Sequence, residues 1–253
     1  MKSKDSADDL RGATQNPIGA MYSLPIKFTS DFGATNGSAQ FLNIQPVIPV
    51  TVGDWNLINR IILPLINTNG FIEGTPSIPS GTEGSGALGL GDINYSLYLS
   101  PAKAGKVIWG IGPSITFPSA SNSQLGSGKW SAGPSAVILT QPEGWTIGVL
   151  GRQLWSFAGQ SNRQNVSQFL LEPFVNYNLS DGWYLLTDMI LTANWYAAPG
   201  QQWTVPIGGG VGKLLKIGDQ AINLKAEAYY NVVRPDAAPD WQFGFTLQFL
   251  FPK

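Results

Sequence analysis

The stretch WQFGFTLQFLF at 241–251 puts Trp241, Phe243, Phe245, Leu247, Phe249 and Phe251 on alternate positions. A two-residue period means an extended strand, because successive side chains of a strand point to opposite sides of the pleat. The same period recurs roughly twelve times from residue 20 onward. It covers 20–31, 40–52, 55–67, 88–99, 106–118, 129–141, 145–157, 167–178, 183–196, 203–215, 220–233 and 241–251, with Gly, Ser, Asp and Pro clusters between. Helical spacing is nowhere sustained, so the predicted fold is all-β.

The connections alternate in length. VGDW, SPAKAGK, QPEG, LSDG and KIGDQ are tight, whereas 68–87, 119–128, 158–166 and 234–240 are longer polar loops. A barrel with one plain rim and one elaborated rim produces that alternation, as transmembrane barrels do with short periplasmic turns and longer outer loops. Residues 20–253 therefore read as a transmembrane up-and-down antiparallel β-barrel of about 12 strands, with both termini at the short-turn rim. Residues 1–19 are polar and include Asp5, Asp8, Asp9 and Arg11. They read as a periplasmic tail or as a plug folded up into the lumen, the tail being the preferred reading for a polar terminus.

The tryptophans sharpen this picture. Trp55, Trp109, Trp145 and Trp183 fall near short turns, and Trp130, Trp155, Trp195, Trp203 and Trp241 fall near the long-loop ends, each on the more apolar face of its strand. Indole has an apolar body and one polar N–H, so aromatic rings at both ends of an apolar wall match two membrane interfaces. A soluble β-sandwich would place its core tryptophans at mid-strand instead.

The opposite face is small and polar and carries Lys27, Arg60, Asp92, Arg152, Glu172, Asp188, Lys225 and Glu227. Counted from the short turns they fall near half-height, which suggests a belt of mixed charge lining a pore. Facing lipid, such a charge would cost about 2 to 4 kcal/mol, so these residues are expected to point inward. Pro46, Pro49, Pro64, Pro113, Pro134, Pro173 and Pro206 fall inside predicted strands, where a missing N–H interrupts the ladder. Bulges or kinks are the expected accommodation, and WGIGPS at 109–114 recurring as WSAGPS at 130–135 suggests a repeated device.

Composition removes several function classes. Cys and His are both absent, which leaves no disulfide framework, no thiolate and no imidazole, and no metal or cofactor is expected. Charged residues make up 12% and the net charge is -1, which argues against nucleic acid as a partner. No apolar run approaches the roughly 20 residues of a membrane-spanning helix. The start, MKSKDSADDLRGATQNP, has no apolar core and does not read as a signal peptide.

Five blocks carry a family resemblance: TQNPIGAMYSLP near the start, LNIQPVIPV at 42–50, DWNLINRIILPLI at 54–66, GLGDINYSLYLSP at 89–101 and WGIGPSITFPSAS at 109–121. The chain resembles the outer-membrane family named for a MetA pathway of phenol degradation, whose members also carry neuromedin U or transporter labels. The resemblance implies a barrel in the bacterial outer membrane and a role in the passage of small organic compounds. It assigns no functional residues.

The leading functional expectation is passive passage of small organic solutes, aromatic ones among them, through a lumen belted by mixed charges. The alternative is a structural or adhesive barrel whose lumen is closed and braced by salt bridges. A carboxylate-based hydrolase using Asp188, Glu227 and Glu172 is a remote third reading, since barrel hydrolases generally rely on histidine. The expected partners are outer-membrane lipid, the solutes, and the barrel assembly machinery during biogenesis.

Overall fold

The computed structural model describes residues 10–78, 81 and 86–252. Fifteen β-segments follow in order: β1 (Tyr22–Ala34), β2 (Gly37–Ile44), β3 (Val47–Val52), β4 (Trp55–Gly70), β5 (Ala87–Leu90), β6 (Ile93–Pro101), β7 (Val107–Phe117), β8 (Lys129–Thr140), β9 (Trp145–Gly159), β10 (Ser167–Asn178), β11 (Trp183–Asp188), β12 (Leu191–Asn194), β13 (Trp203–Ile217), β14 (Gln220–Val233) and β15 (Trp241–Phe251). They make a closed 12-stranded antiparallel barrel, because β2 with β3, β5 with β6, and β11 with β12 are each one stave with a break. The last stave closes on the first through a register running from Tyr22↔Phe251 to Phe32↔Trp241. No helix among the described residues is long and apolar enough to cross a membrane; here strands form the wall.

Proline explains the breaks. Pro46 itself separates β2 from β3. The gap at Gly91–Asp92 lies opposite Pro64, whose carbonyl accepts from the Gly91 N–H at 2.8 Å. The gap at Met189–Ile190 lies opposite Pro173, whose carbonyl accepts from the Met189 N–H at 3.2 Å. A residue without an N–H cannot hold its neighbour in the ladder, so the neighbouring stave parts there. Pro206 falls at a register shift between β13 and β14. The repeated Gly-Pro pair works differently: Pro113 and Pro134 are direct partners across β7 and β8. Pairing lapses on their far sides, between Ser96↔Ser114 and Leu99↔Ile111 and between Ala132↔Trp155 and Ser135↔Arg152. The neighbouring backbones crowd those points, since a Cβ on Gly112 would lie 1.9 Å from the Leu97 carbonyl oxygen and one on Gly133 2.0 Å from that of Gln153.

The two faces of the wall differ as the alternation predicts. Phe28, Ile111, Val211 and Phe245 point out and are exposed, while Asn56, Ser96, Ser114, Ser135, Asn223 and Thr246 point in and are buried. At the short-turn rim, Gly53 and Gly218 open Gly-Asp hairpins with φ of 57° and 60°, a region a side chain rarely tolerates. At the other rim the segment 71–78 folds over the barrel end. Its Ile72 and Ile78 are fully buried against Ala39, Phe41, Ile66 and Leu125.

Candidate functional site

Two segments of the chain enter the lumen, one from each end. Of residues 1–19, the described part, 10–19, lies inside the short-turn end, beginning with a helical turn at 10–14; Asp5, Asp8 and Asp9 lie outside the described residues. Ile18 packs with Ile58, Tyr98, Leu150, Leu170 and Phe174, all inward-facing. Leu10 and Ala13 pack against Met21, Ala221 and Leu250. Polar contacts fix the segment to the wall: Gln15 Nε2 donates to Asn178 Oδ1 at 2.8 Å, Thr146 Oγ1 donates to Gln15 Oε1 at 2.8 Å, and Gln141 Nε2 donates to the Gly12 carbonyl at 2.7 Å. The backbone here is not stapled by a ladder, and a few side chains hold it.

At the long-loop end, Gln168 Nε2 donates to the Pro76 carbonyl at 3.2 Å, which ties the 71–78 segment to the inner face of β10. Between the two caps lies a cavity of about 280 Å³, bordered by Gln15, Asn16 and Pro17 from one side and by Pro76 and Ser77 from the other.

Seven of the eight charges predicted to line a pore border this cavity, namely Lys27, Arg60, Asp92, Arg152, Glu172, Asp188 and Lys225. Glu227 is buried in the wall just behind. The eight are not equivalent. Lys225 Nζ lies 2.5 Å from Asp188 Oδ2, and Lys27 Nζ lies 3.8 Å from Glu227 Oε2. Glu227 also accepts from the Tyr229 hydroxyl at 2.9 Å. Asp92 is turned to the outer loop, accepting from the Ala120 N–H at 3.2 Å and from the Ser127 N–H and hydroxyl at 2.7 and 2.8 Å. Its place in a stave gap, beside Pro64, frees it for that task. Arg60 has one long hydrogen bond, from Nη2 to Gln45 Oε1 at 3.4 Å. Arg152 and Glu172 have neither an ion pair nor a hydrogen bond among the described residues.

Asp31 is a further inward charge that the sequence reading passed over. It is buried and accepts from Gln242 Nε2 at 3.0 Å. Its parity in β1, the same as that of Lys27, was the available signal. The cap residues Gln15 and Ile18 carried no such periodic signal, because they precede the first strand.

Eight of the nine tryptophans are exposed on the outer face, with Trp155 the most exposed at 50%. Trp203 is half-buried, set edge-on against Trp195 with ring centres 5.6 Å apart. Neighbours complete the aromatic ends: Trp55 meets Trp109 at 6.2 Å, Trp130 meets Phe117 at 5.3 Å, Trp145 meets Tyr177 at 4.5 Å and Trp241 meets Tyr230 at 5.0 Å. Lys213 stands 4.4 Å over the Trp183 ring.

Among the outer loops, burial and the nearby Asp236 carboxylate push the Glu73 carboxyl above its ordinary range. Its backbone N–H donates to the Ala237 carbonyl at 3.3 Å, so the cap segment leans on the loop before β15.

A family model described as "Putative MetA-pathway of phenol degradation" matches residues 13–251. The chain belongs to that family. Among solved structures, this member of the phenol-degradation family is similar to the COG4313 outer membrane channel from Pseudomonas putida F1, at 11% identity and a TM-score of 0.69, with 94% of this chain and 98% of that one covered. It is also similar to the NanC porin, at 8% identity and a TM-score of 0.52, with 92% and 100% covered. At these identities the likeness is one of fold. No curated protein sequence matches the chain.

Proposed function

We propose that this protein is an outer-membrane channel for small organic solutes, its lumen narrowed by its own N-terminal and 71–78 segments. The observation that carries the reading is one continuous cavity of about 280 Å³ that touches the N-terminal segment at one end and the 71–78 segment at the other. The N-terminal segment is held by side-chain hydrogen bonds and small apolar clusters, and the 71–78 segment by these together with backbone bonds from the Phe71 and Glu73 N–H groups to the Asn36 and Ala237 carbonyls, a set of contacts small enough to open locally. The wall between them is built to stay. Its aromatic ends and apolar outer band fit lipid, and its inward polar face fits water. The family name points to phenol breakdown, and the two similar structures are a channel and a porin. These support passage of small, partly aromatic compounds.

The charges divide between the two roles weighed from the sequence. Lys225 with Asp188 and Lys27 with Glu227 brace the wall, and Asp92 anchors a loop. Arg60, Arg152 and Glu172 face the path.

The test is solute passage in a full-length protein with one loosened cap. Ile18→Asp places a carboxylate among Ile58, Leu150, Leu170 and Phe174, which expels the N-terminal segment because an unpaired buried charge is costly. Single-channel conductance in planar bilayers should rise several-fold over the wild type, and liposomes should take up phenol faster. A variant that folds and inserts, yet passes neither ions nor phenol, would overturn the channel reading.

A further inference from the structure

Charge around the lumen is neutralised on one side only. Lys225 meets Asp188 at 2.5 Å and Lys27 meets Glu227 at 3.8 Å, all four on β1, β11 and β14. Elsewhere around the lumen, Arg60 on β4, Arg152 on β9 and Glu172 on β10 form no ion pair among the described residues.

The arc between the two arginines holds one carboxylate, Asp92, and its oxygens are turned to the 119–128 loop. Arg60 sits in a cross-strand row with Ser96 and Ser114, and Arg152 in the adjacent inward row with Ser135 and Gly112. The hydroxyls of that arc are already used: Tyr98 Oη lies 2.7 Å from Ser135 Oγ, Ser96 Oγ donates to Ser114 Oγ at 2.9 Å, and Ser135 Oγ reaches the Gly151 carbonyl at 3.2 Å. A guanidinium keeps its charge at any physiological pH and presents five N–H donors in a planar fork. Asp31 and Asp92 also border the cavity, but their oxygens are taken by Gln242 and by the 119–128 loop, so the two guanidinium groups, with Glu172 as the other unbonded charge, keep N–H donors free for a ligand.

The cavity wall next to the arginines is apolar, formed by Leu150, Leu170, Phe174 and Ile190. Its volume of about 280 Å³ stands at the small end of ligand cavities.

We propose that Arg60 and Arg152 form the binding site of a small amphipathic organic acid, an aryl or short alkyl carboxylate. The carboxylate lies between the two guanidinium groups, and the apolar body lies over Leu150, Leu170 and Phe174. Glu172 repels a second carboxylate and so favours monoanions. It also weakens retention, which a conducting site requires. This inference rests on the channel reading and gives it a substrate class.

The test uses the full chain in detergent micelles and two probes of similar shape, benzoate and benzyl alcohol. Benzoate should bind saturably and more tightly than benzyl alcohol. Arg152→Gln and Arg60→Gln should each weaken benzoate by about tenfold or more, the size of a lost charge-assisted hydrogen bond, and leave benzyl alcohol unchanged. Arg152→Lys, which keeps the charge and loses the fork, should fall in between. Equal binding of the two probes by the wild type overturns the site, as does benzoate binding that ignores both Gln substitutions. If a Gln variant fails to fold, the wild-type comparison decides alone. Bilayer recordings on the same preparations separate the two claims. Conductance without benzoate preference removes the site and keeps the channel, and benzoate binding without conductance does the reverse.

Discussion

Asp188 and Lys225, thirty-seven positions apart, meet with Oδ2 and Nζ separated by 2.5 Å. They do so over β13, whose inward positions there are glycines: Gly210 is paired with Leu186 and Glu227, and Gly212 with Tyr184 and Lys225. A Cβ on Gly212 would lie 2.1 Å from Tyr184 Cζ, so the bare backbone is what lets the side chains of β11 and β14 reach each other. The Tyr184 hydroxyl continues the bridge to Asn223 Oδ1 at 2.8 Å, and the Tyr229 hydroxyl accepts from the Asp188 N–H at 2.9 Å. This network spans the gap that follows Asp188 and does the joining that the missing ladder bonds would have done.

Asp188→Asn or Lys225→Met should therefore destabilise the barrel. Each leaves one charge without its partner, at a cost of about 1 to 3 kcal/mol after allowing for the water in the cavity. The double variant should cost less than the sum, because neither orphan remains. Urea midpoints of the detergent-solubilised or bilayer-inserted barrel measure both. Additive single effects would mean that the two side chains do not act as a pair.

Asp92 makes a separate prediction. Its carboxylate receives three hydrogen bonds from the 119–128 loop, two from backbone N–H groups. Asp92→Ala should release that loop, at about 1.5 to 3 kcal/mol for the first charge-assisted bond lost, while the staves stay paired. Limited proteolysis of intact cells or proteoliposomes should then cut at 119–128 in the variant and spare the wild type. Gly126 supports the reading, since a Cβ there would lie 2.4 Å from Asp92 Oδ1.

The staves were legible in the sequence because alternation encodes which solvent each face meets. A strand such as β15 writes six apolar side chains on one parity and Gln242, Gly244, Thr246 and Gln248 on the other. Each predicted strand end falls within three residues of the observed one. The proline-linked breaks were legible as trouble but not as location. A missing N–H parts whichever neighbouring stave it faces, and that depends on register. Parity likewise turned the charges inward, yet it could not say which would pair. Lys225 and Asp188 lie on staves that are not adjacent, and they meet only because β13 has glycine between them. The N-terminal cap was the least legible part. Its contacts are Leu10, Ala13, Ile18 and a few amides, and none of these leaves a periodic trace.

Glu73 gives the outer cap a pH dependence with a definite sign. Burial first, and then the Asp236 carboxylate, raise its pKa above the ordinary 4.5. The docked loop thus holds its proton more tightly than the undocked loop, so docking is fully supported below about pH 4.5 and weakens as pH rises through the raised value. Amide exchange in 71–78 should accelerate with rising pH beyond the intrinsic chemical rate. Glu73→Gln should abolish the extra acceleration, and Asp236→Asn should move it to lower pH. An unchanged profile in Glu73→Gln would assign the effect to another carboxylate.

The assignment of the outer face to lipid can be tested at one position. Val211 is exposed, near the middle of β13, with its side chain on the opposite parity from Gly210 and Gly212. In water, Val211→Arg would be nearly neutral, as most exposed substitutions are. Against hydrocarbon it should cost about 2 to 4 kcal/mol, the penalty for a cation near the bilayer midplane. Val211→Leu should be close to neutral in either solvent, which controls for shape. Reversible urea unfolding from lipid bilayers, run beside the same variants in detergent, reads the difference. The Arg penalty should shrink in micelles, whose surface lets a long side chain reach water. If Val211→Arg were as stable as Val211→Leu in bilayers, the apolar band would not be meeting lipid at that height, and the inward reading of the charges opposite would lose its physical reason.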